Sequence, residues 1–491
     1  MPPEIPTTGG NLPDPAALSD LGSWGTHPFL NGLETAFLRM DSDSTARLGG
    51  TIVWTLDRAP EWDRFVACCE QTVGRLPRLR LRVVDPPLGL GWPVWECDPH
   101  FDLGYHVGRT RLPGPAGRRE LLDFAERVQA SAFDRERPLW RVHLVEGEDR
   151  GNAVVIKMHH AVTDGVGINQ AMSSLLPDSA AASGPLPGAP VSPEHVGAVR
   201  LLAVAAATNV GSLPLATGRR ALRLAGRLPK ATRSPSKALG TLDELLRTVE
   251  QVLLAAGGSP LLSGRGPGLR FDAHEVPTAS LKAAAKRADA SITAVHLAVL
   301  LGAYSDYHRR QGVSHDVLSM SVPVDVRSQH TFTGNNSIGV MTVAGSLAEM
   351  EPVPRIQAMY RMLQRGRLGP LAQAAPALTE LIPLVPPMLV RALARRVTAR
   401  VDLLASSIRG MRRPGYVAGA KITSHLLFGP RAGLGTISAL MSHDDAFGLT
   451  LHMDPASVTD TELFGELVRK NLHDLLATGG RPPAVGRRTA R

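Results

Sequence analysis

Seven consecutive residues, His159-His160-Ala161-Val162-Thr163-Asp164-Gly165, put two imidazoles, a carboxylate and a glycine into one short stretch. A neutral imidazole titrating near neutrality can take the proton from a hydroxyl as that hydroxyl attacks a thioester. It needs its ring fixed in one tautomer, and neighbouring backbone and a partner His can do the fixing. Asp164 comes four residues after His160 and lies across the loop from it, where it can orient the ring or tie the loop down through an arginine. Gly165 removes a side chain where a long, thin substrate arm would pass. The same residues also fit a pair of satisfied core histidines followed by a loop-closing turn. The pattern HHxxxDG fixes four positions in seven. A chance match in a chain of this length is on the order of a few in a thousand.

The elements that must position this loop are legible on either side of it. The apolar run 153–158 reads as a buried strand, and 166–176 as a short helix, so the motif sits where a strand gives way to a loop. Residues 139–145 form a second strand, separated from the first by a plausible hairpin turn over 147–152. Upstream, 51–56 and 79–84 read as strands, and 60–76 and 118–133 as amphipathic helices. Downstream, 278–290 and 291–310 read as helices with Ser291 as an N-cap. Residues 317–323, 337–347, 422–428, 436–441 and 447–452 read as strands, 354–365 as a helix, and 457–476 as a closing helix. The chain is therefore α/β. Its strand and helix content is similar on both sides of the Pro-, Ala- and Gly-rich segment 177–193, which suggests two lobes.

The expected organisation is a loose segment 1–30, a first lobe 31–176 carrying the motif, a linker and basic crossover 177–265, a second lobe 266–478, and a basic tail 479–491. At 491 residues, 43% hydrophobic and 20% charged, the composition is that of an ordinary globular chain. A net charge of +9 suits anionic partners such as a membrane surface or cofactor phosphates. The arginines do not alternate with aromatics, and no zinc-finger or RNA-recognition pattern appears, so nucleic acid is the weaker partner. Cys68, Cys69 and Cys97 give neither a disulfide framework nor metal-ligand spacing, and Cys69 falls at a position for a small hydrophobe in a helix. This suggests a reduced, cytoplasmic protein. The first residues lack the pattern of a signal peptide, and no stretch offers 18 clean apolar residues. Two basic, apolar stretches, 218–237 and 387–413, suggest peripheral contact with a membrane or lipid inclusion.

HHxxxDG resembles the signature of the CoA-dependent acyltransferase superfamily, and other stretches point within it. Residues 136–147, Glu-Arg-Pro-Leu-Trp-Arg-Val-His-Leu-Val-Glu-Gly, resemble the "PLWxxHLxEG" strand of the bacterial wax ester synthase/diacylglycerol acyltransferase family. Phe37-Leu38-Arg39-Met40 resembles that family's opening. Pro323-Val324-Asp325-Val326-Arg327 and then Gly334-Asn335-Asn336-Ser337-Ile338-Gly339 resemble its second-half motif. The similarity runs from about residue 34 to 477. It implies two chloramphenicol acetyltransferase-like lobes with mixed sheets and a tunnel between them. There are two departures. Arg47-Leu48-Gly49-Gly50 stands for a Met-His-x-Gly-like element, and 424–430 stands for Ser-Asn-Val-Pro-Gly-Pro.

The resemblance implies an acyl-CoA-dependent O-acyltransferase of neutral-lipid synthesis. His160 is then the general base and His159 supports its geometry, while Asp164 and Gly165 are structural. Arg327 is expected to pair with Asp164 and pin the loop. Asn335 and Asn336 are expected to donate hydrogen bonds to an oxyanion or to the substrate arm, though they also fit a turn and strand start. Acyl-CoA is a cosubstrate, and neither a metal nor a resident cofactor is needed. Diacylglycerol is the expected acceptor over a long-chain alcohol, because the basic segments hold the chain at an interface and 424–430 offers only Phe428 as a bulky aromatic near the tunnel wall. The rival readings are transfer from a carrier protein, as in a condensation domain, and a catalytically idle lipid-binding protein on the same fold. Trp140 is read as core, and His143, His296, His425 and His443 as ordinary histidines.

Overall fold

The computed structural model describes residues 29–86, 89, 91–114, 117–147, 152–165, 167–169, 171, 176, 258–325, 338–367, 382–411 and 413–477. In the first half the chain runs through α1 (Gly32–Met40), β1 (Gly49–Leu56), α2 (Trp62–Arg75), β2 (Leu81–Val84), β3 (Val94–Cys97), α3 (Leu103–His106), β4 (Val107–Arg111), α4 (Arg118–Ala130), β5 (Trp140–Glu146) and β6 (Ala153–His159). Helix α1 starts sharply because Asn31 and Glu34 form a capping box: the Asn31 side chain accepts from Glu34 N–H at 2.8 Å and the Glu34 carboxylate from Asn31 N–H at 2.9 Å. Residues 79–84, expected to be one strand, split. Pro77 opens a short 3-10 turn, and only Leu81–Val84 is extended.

The second half comprises β7 (Arg270–Pro277), α5 (Thr278–Arg287), α6 (Ile292–Arg310), β8 (Val317–Asp325), β9 (Ile338–Ser346), α7 (Pro352–Arg367), α8 (Pro387–Thr398), β10 (Leu403–Met411), β11 (Tyr416–Val417), β12 (Ala420–Phe428), β13 (Thr436–His443), β14 (Ala446–Met453) and α9 (Thr461–Ala477). Ser291 caps α6 as expected, accepting from Ala294 N–H at 3.2 Å. Residues 294–304 of α6 are buried on every side, between α7, α9 and the sheet, and are apolar apart from His296. Among the described residues no single helix is long and apolar enough to cross a membrane. The stretch 387–413 is not one element: its first part is α8 and its second is strand β10.

Two mixed six-stranded sheets result. One has the order β11-β12-β1-β6-β5-β4, with β4 parallel to β5 and the other neighbours antiparallel. The other has the order β7-β14-β13-β10-β8-β9, with β10 parallel to both β13 and β8. The lobes are not separate in sequence. Strands β11 and β12 come from the second half yet extend the first sheet, pairing Thr51 with Phe428. Phe428 then stacks on Phe271 of β7 with ring centroids 3.9 Å apart, and both rings are fully buried. This corrects the placing of Phe428 at a tunnel wall: it belongs to the apolar core that joins the lobes.

Candidate active site

The register of β1 against β6 delivers the histidine pair. Gly49 lies opposite His159, and the next residues of the loop are held by backbone: His159 N–H donates to Leu139 O at 2.9 Å and His160 N–H to Leu48 O at 2.8 Å. Leu48 is itself fixed, its N–H donating to the Asp41 carboxylate at 2.7 Å. The element Arg47-Leu48-Gly49-Gly50, which departs from the family pattern, is thus what grips the motif from the neighbouring strand.

His159 is buried and its two ring nitrogens face different partners. Nδ1 accepts the Ala161 N–H at 3.0 Å, so it carries the lone pair. The proton of the neutral ring then sits on Nε2, which faces Asp41 Oδ1 at 3.5 Å. That contact is long for a hydrogen bond, and electrostatic attraction carries most of it. Burial pushes the Asp41 carboxyl up, but the His159 ring, the Leu48 N–H and the Arg47 charge together outweigh it and hold the group at about 2. His159 is therefore a fixed, tautomer-locked ring. His160 points the other way, packing edge-on against Phe37 with ring centroids 4.7 Å apart.

Asp164 is 1% exposed, and its carboxylate accepts the Gly167 N–H at 2.7 Å at the start of the following helical turn. It acts here on the loop backbone. Arg327, Asn335 and Asn336 lie outside the described residues. A Cβ at Gly165 would come within 2.8 Å of Ile408 Cδ1 and 3.5 Å of Leu427, so the missing side chain lets the loop close on β10 and β12. Asn169 adds to the closure by donating to Arg409 O of β10 at 2.9 Å.

The reading of the sequence missed Asp41 and the reason for Arg39. Arg39 is 7% exposed and donates to the carbonyls of Ile382 and Val385 at 2.6 Å each, and to that of Pro383 at 3.1 Å. It also reaches Gly89 O at 2.6 Å and Gly91 O at 3.2 Å. One guanidinium thus staples the approach to α8 onto α1, the helix whose Phe37 packs on His160. Because Asp41 lies directly after Phe37-Leu38-Arg39-Met40, that opening motif was its only available signal. Trp140 is core, as expected, with its indole N–H donating to Leu79 O at 2.8 Å. His296 is also a satisfied core residue, lying between Ser407 Oγ at 3.1 Å and Ser438 Oγ at 2.8 Å.

Comparisons with known proteins match the fold and the order of its two halves. The model of the wax ester synthase/diacylglycerol acyltransferase catalytic domain matches residues 30–296, and that of the corresponding C-terminal domain matches 334–476. A putative diacylglycerol O-acyltransferase of Mycobacterium tuberculosis is 32% identical over 452 residues, covering 90% of this chain and 91% of the relative. The solved wax ester synthase/diacylglycerol acyltransferase of Marinobacter aquaeolei VT8 shares the fold with a TM-score of 0.63 at 21% identity, over 92% of this chain and 100% of that one. Polyketide synthase associated protein 5 of M. tuberculosis shares it with a TM-score of 0.55 at 14% identity, over 92% and 99% of the two chains. With both domain models in sequence order and the HHxxxDG loop held between two mixed-sheet lobes, this chain belongs to the wax ester synthase/diacylglycerol acyltransferase family of acyltransferases.

Proposed function

We propose that this acyltransferase of neutral-lipid synthesis moves a long-chain acyl group from acyl-CoA to diacylglycerol, with His160 as the general base. The observation that carries the reading is the division of labour within the pair. Both nitrogens of His159 face fixed partners, Ala161 N–H and Asp41, so the proton-transfer role falls to the adjacent ring. The acceptor hydroxyl gives its proton to His160 as its oxygen attacks the thioester carbonyl. The C–S bond then breaks, and the thiolate leaves with the proton returned from His160. No covalent enzyme intermediate is needed.

The acceptor assignment rests on a surface. Helix α8 exposes Met388, Leu389 and Leu393 at 66%, 55% and 52%, while Val390 is buried. Arg391 and Arg396 lie on the same helix, which has no acidic residue, while Arg395 pairs with Asp43 at 2.6 Å. An exposed apolar face among cations suits an anionic lipid surface, with the arginine stems lying along it and their heads in the headgroup layer. It also disfavours a second copy of the chain, which would bring like charges together. Peripheral association at a membrane or lipid inclusion places the chain where diacylglycerol resides. The test is CoA release by purified protein with a long-chain acyl-CoA, with diacylglycerol and hexadecanol presented in the same vesicles. A higher kcat/KM for hexadecanol rejects the acceptor assignment, and no CoA release with either rejects the donor.

A further inference from the structure

The family-like strand around Trp140 contributes more than core. Pro138, Trp140, Arg141 and His143 all line a cavity of about 350 Å³ between the C-terminal end of α4 and the first sheet. In the β5–β6 register Arg141 stands directly opposite Lys157. Like charges facing each other across an antiparallel pair destabilise it. Arg127 of α4 adds a third cation to the lining.

Asp41 attracts the Lys157 ammonium, but no carboxylate stands in ion-pair contact with any of the three cations among the described residues. Lys157, 1% exposed, donates to Ser131 O at 2.5 Å and Ser131 Oγ at 2.9 Å, and stands over the Phe133 ring at 4.2 Å. Arg141 donates to the Tyr105 carbonyl and lies over its ring at 3.5 Å. Asp134, the one acid in the lining, is exposed at its edge. Burial dominates the protonation of these groups, and the neighbouring cations add to it. Burial, with the Arg47 and Arg141 charges, brings the Lys157 ammonium down to about 8 despite the attraction of Asp41. Burial, with Arg141 and Lys157, lowers His143 as well. The buried Nδ1 of His143 has no hydrogen-bond partner.

We propose that this cavity is a binding pocket for a phosphate group. An anion would relieve the cross-strand repulsion and engage guanidinium donors that the protein leaves unused. The forked donors of Arg141 and Arg127 suit phosphate oxygens. The volume exceeds that of a lone phosphate and admits part of what carries it. Lys157 and His159 share one face of β6, two residues or roughly 7 Å apart, so the Lys157 wall of the cavity lies on the same sheet face as His159, which is not itself part of the lining. Two sources share this chemistry: the phosphates of a CoA donor, and the phosphate headgroup of an acidic lipid. The first rests on the acyl-CoA reading above, whereas the pocket itself does not.

The test uses the full chain and the Arg127→Gln/Arg141→Gln double variant. The double variant loses the Arg141 contacts to the Tyr105 carbonyl and ring but relieves the repulsion with Lys157, so folding is checked first and the ligand-induced shift is compared within each protein. Pyrophosphate is expected to raise the melting temperature of the wild type and not of the variant. Losing two charge-assisted contacts should weaken binding roughly tenfold or more. If the source is CoA, KM for acyl-CoA rises in the variant while KM for the matching acyl-pantetheine, which lacks the nucleotide phosphates, does not change. If the source is lipid, binding to phosphatidate vesicles falls relative to neutral vesicles and KM for acyl-CoA is unchanged. These binding measurements do not depend on turnover, so an inactive protein leaves them decisive. Equal binding of pyrophosphate, CoA and phosphatidate by variant and wild type overturns the proposal.

Discussion

Replacing Asp41 by Asn tests whether the histidine pair is positioned from outside the motif. The carboxylate holds two things: the Leu48 N–H at 2.7 Å, and through it the carbonyl that receives His160 N–H, and the Nε2 side of His159 at 3.5 Å. Asn keeps an oxygen for Leu48 but loses the charge. The carboxyl lies at about 2 in the folded chain against an ordinary 3.8, and its side chain is only 13% exposed. A depression of that size corresponds to roughly 2 kcal/mol of stability at neutral pH. Because the folded value is the depressed one, this stability is present above about pH 4 and is lost as pH falls through about 2. Asp41→Asn is therefore expected to lose roughly 2 kcal/mol at pH 7 and to show a shallower further loss between pH 4 and 2 than the wild type, measured by urea unfolding across pH. A small shift of the His160 backbone is also expected to lower kcat by roughly 10²-fold with little change in KM. A variant with wild-type kcat and the same acid profile would refute the coupling.

Three further outcomes can be measured. His160→Ala is expected to lower turnover by roughly 10²–10⁴-fold with acyl-CoA binding nearly unchanged, because the ring acts on the acceptor; undiminished activity rejects it as base. Asp164→Asn and Arg327→Ala are each expected to cost roughly 3–5 kcal/mol if they form a buried pair, and to combine non-additively; simple additivity in a double-mutant cycle shows that they do not touch. Changing Met388, Leu389 and Leu393 together to Ser is expected to weaken binding to anionic vesicles by roughly a hundredfold, and added salt should weaken wild-type binding too. Equal partition of the two proteins onto vesicles excludes α8 as the contact.

The apolar pattern of the chain was enough to find α2, α4 and β5, and also α6, β6 and β12–β14, whose apolar runs are buried at nearly every position. It missed β4 and β7, whose alternation is diluted by Arg109 and Arg111 at one and by Asp272 and Glu275 at the other. It also read α8 and β10 as one stretch, because arginines run through both. The motif itself was legible because its residues are adjacent in sequence, and local order alone brings His159, His160, Asp164 and Gly165 into one loop. What fixes them was not, because it arrives from elsewhere: Asp41 and Leu48 reach the pair through the β1–β6 register, Phe37 through α1, Leu427 through the pairing of β12 with β1, and Ile408 through the packing of β10 against Gly165. The facing of Arg141 and Lys157 is likewise a product of register. Sequence specifies which groups are present. Only strand pairing and lobe packing decide which of them stand within a few ångströms, and electrostatic and hydrogen-bond energies are set at that distance.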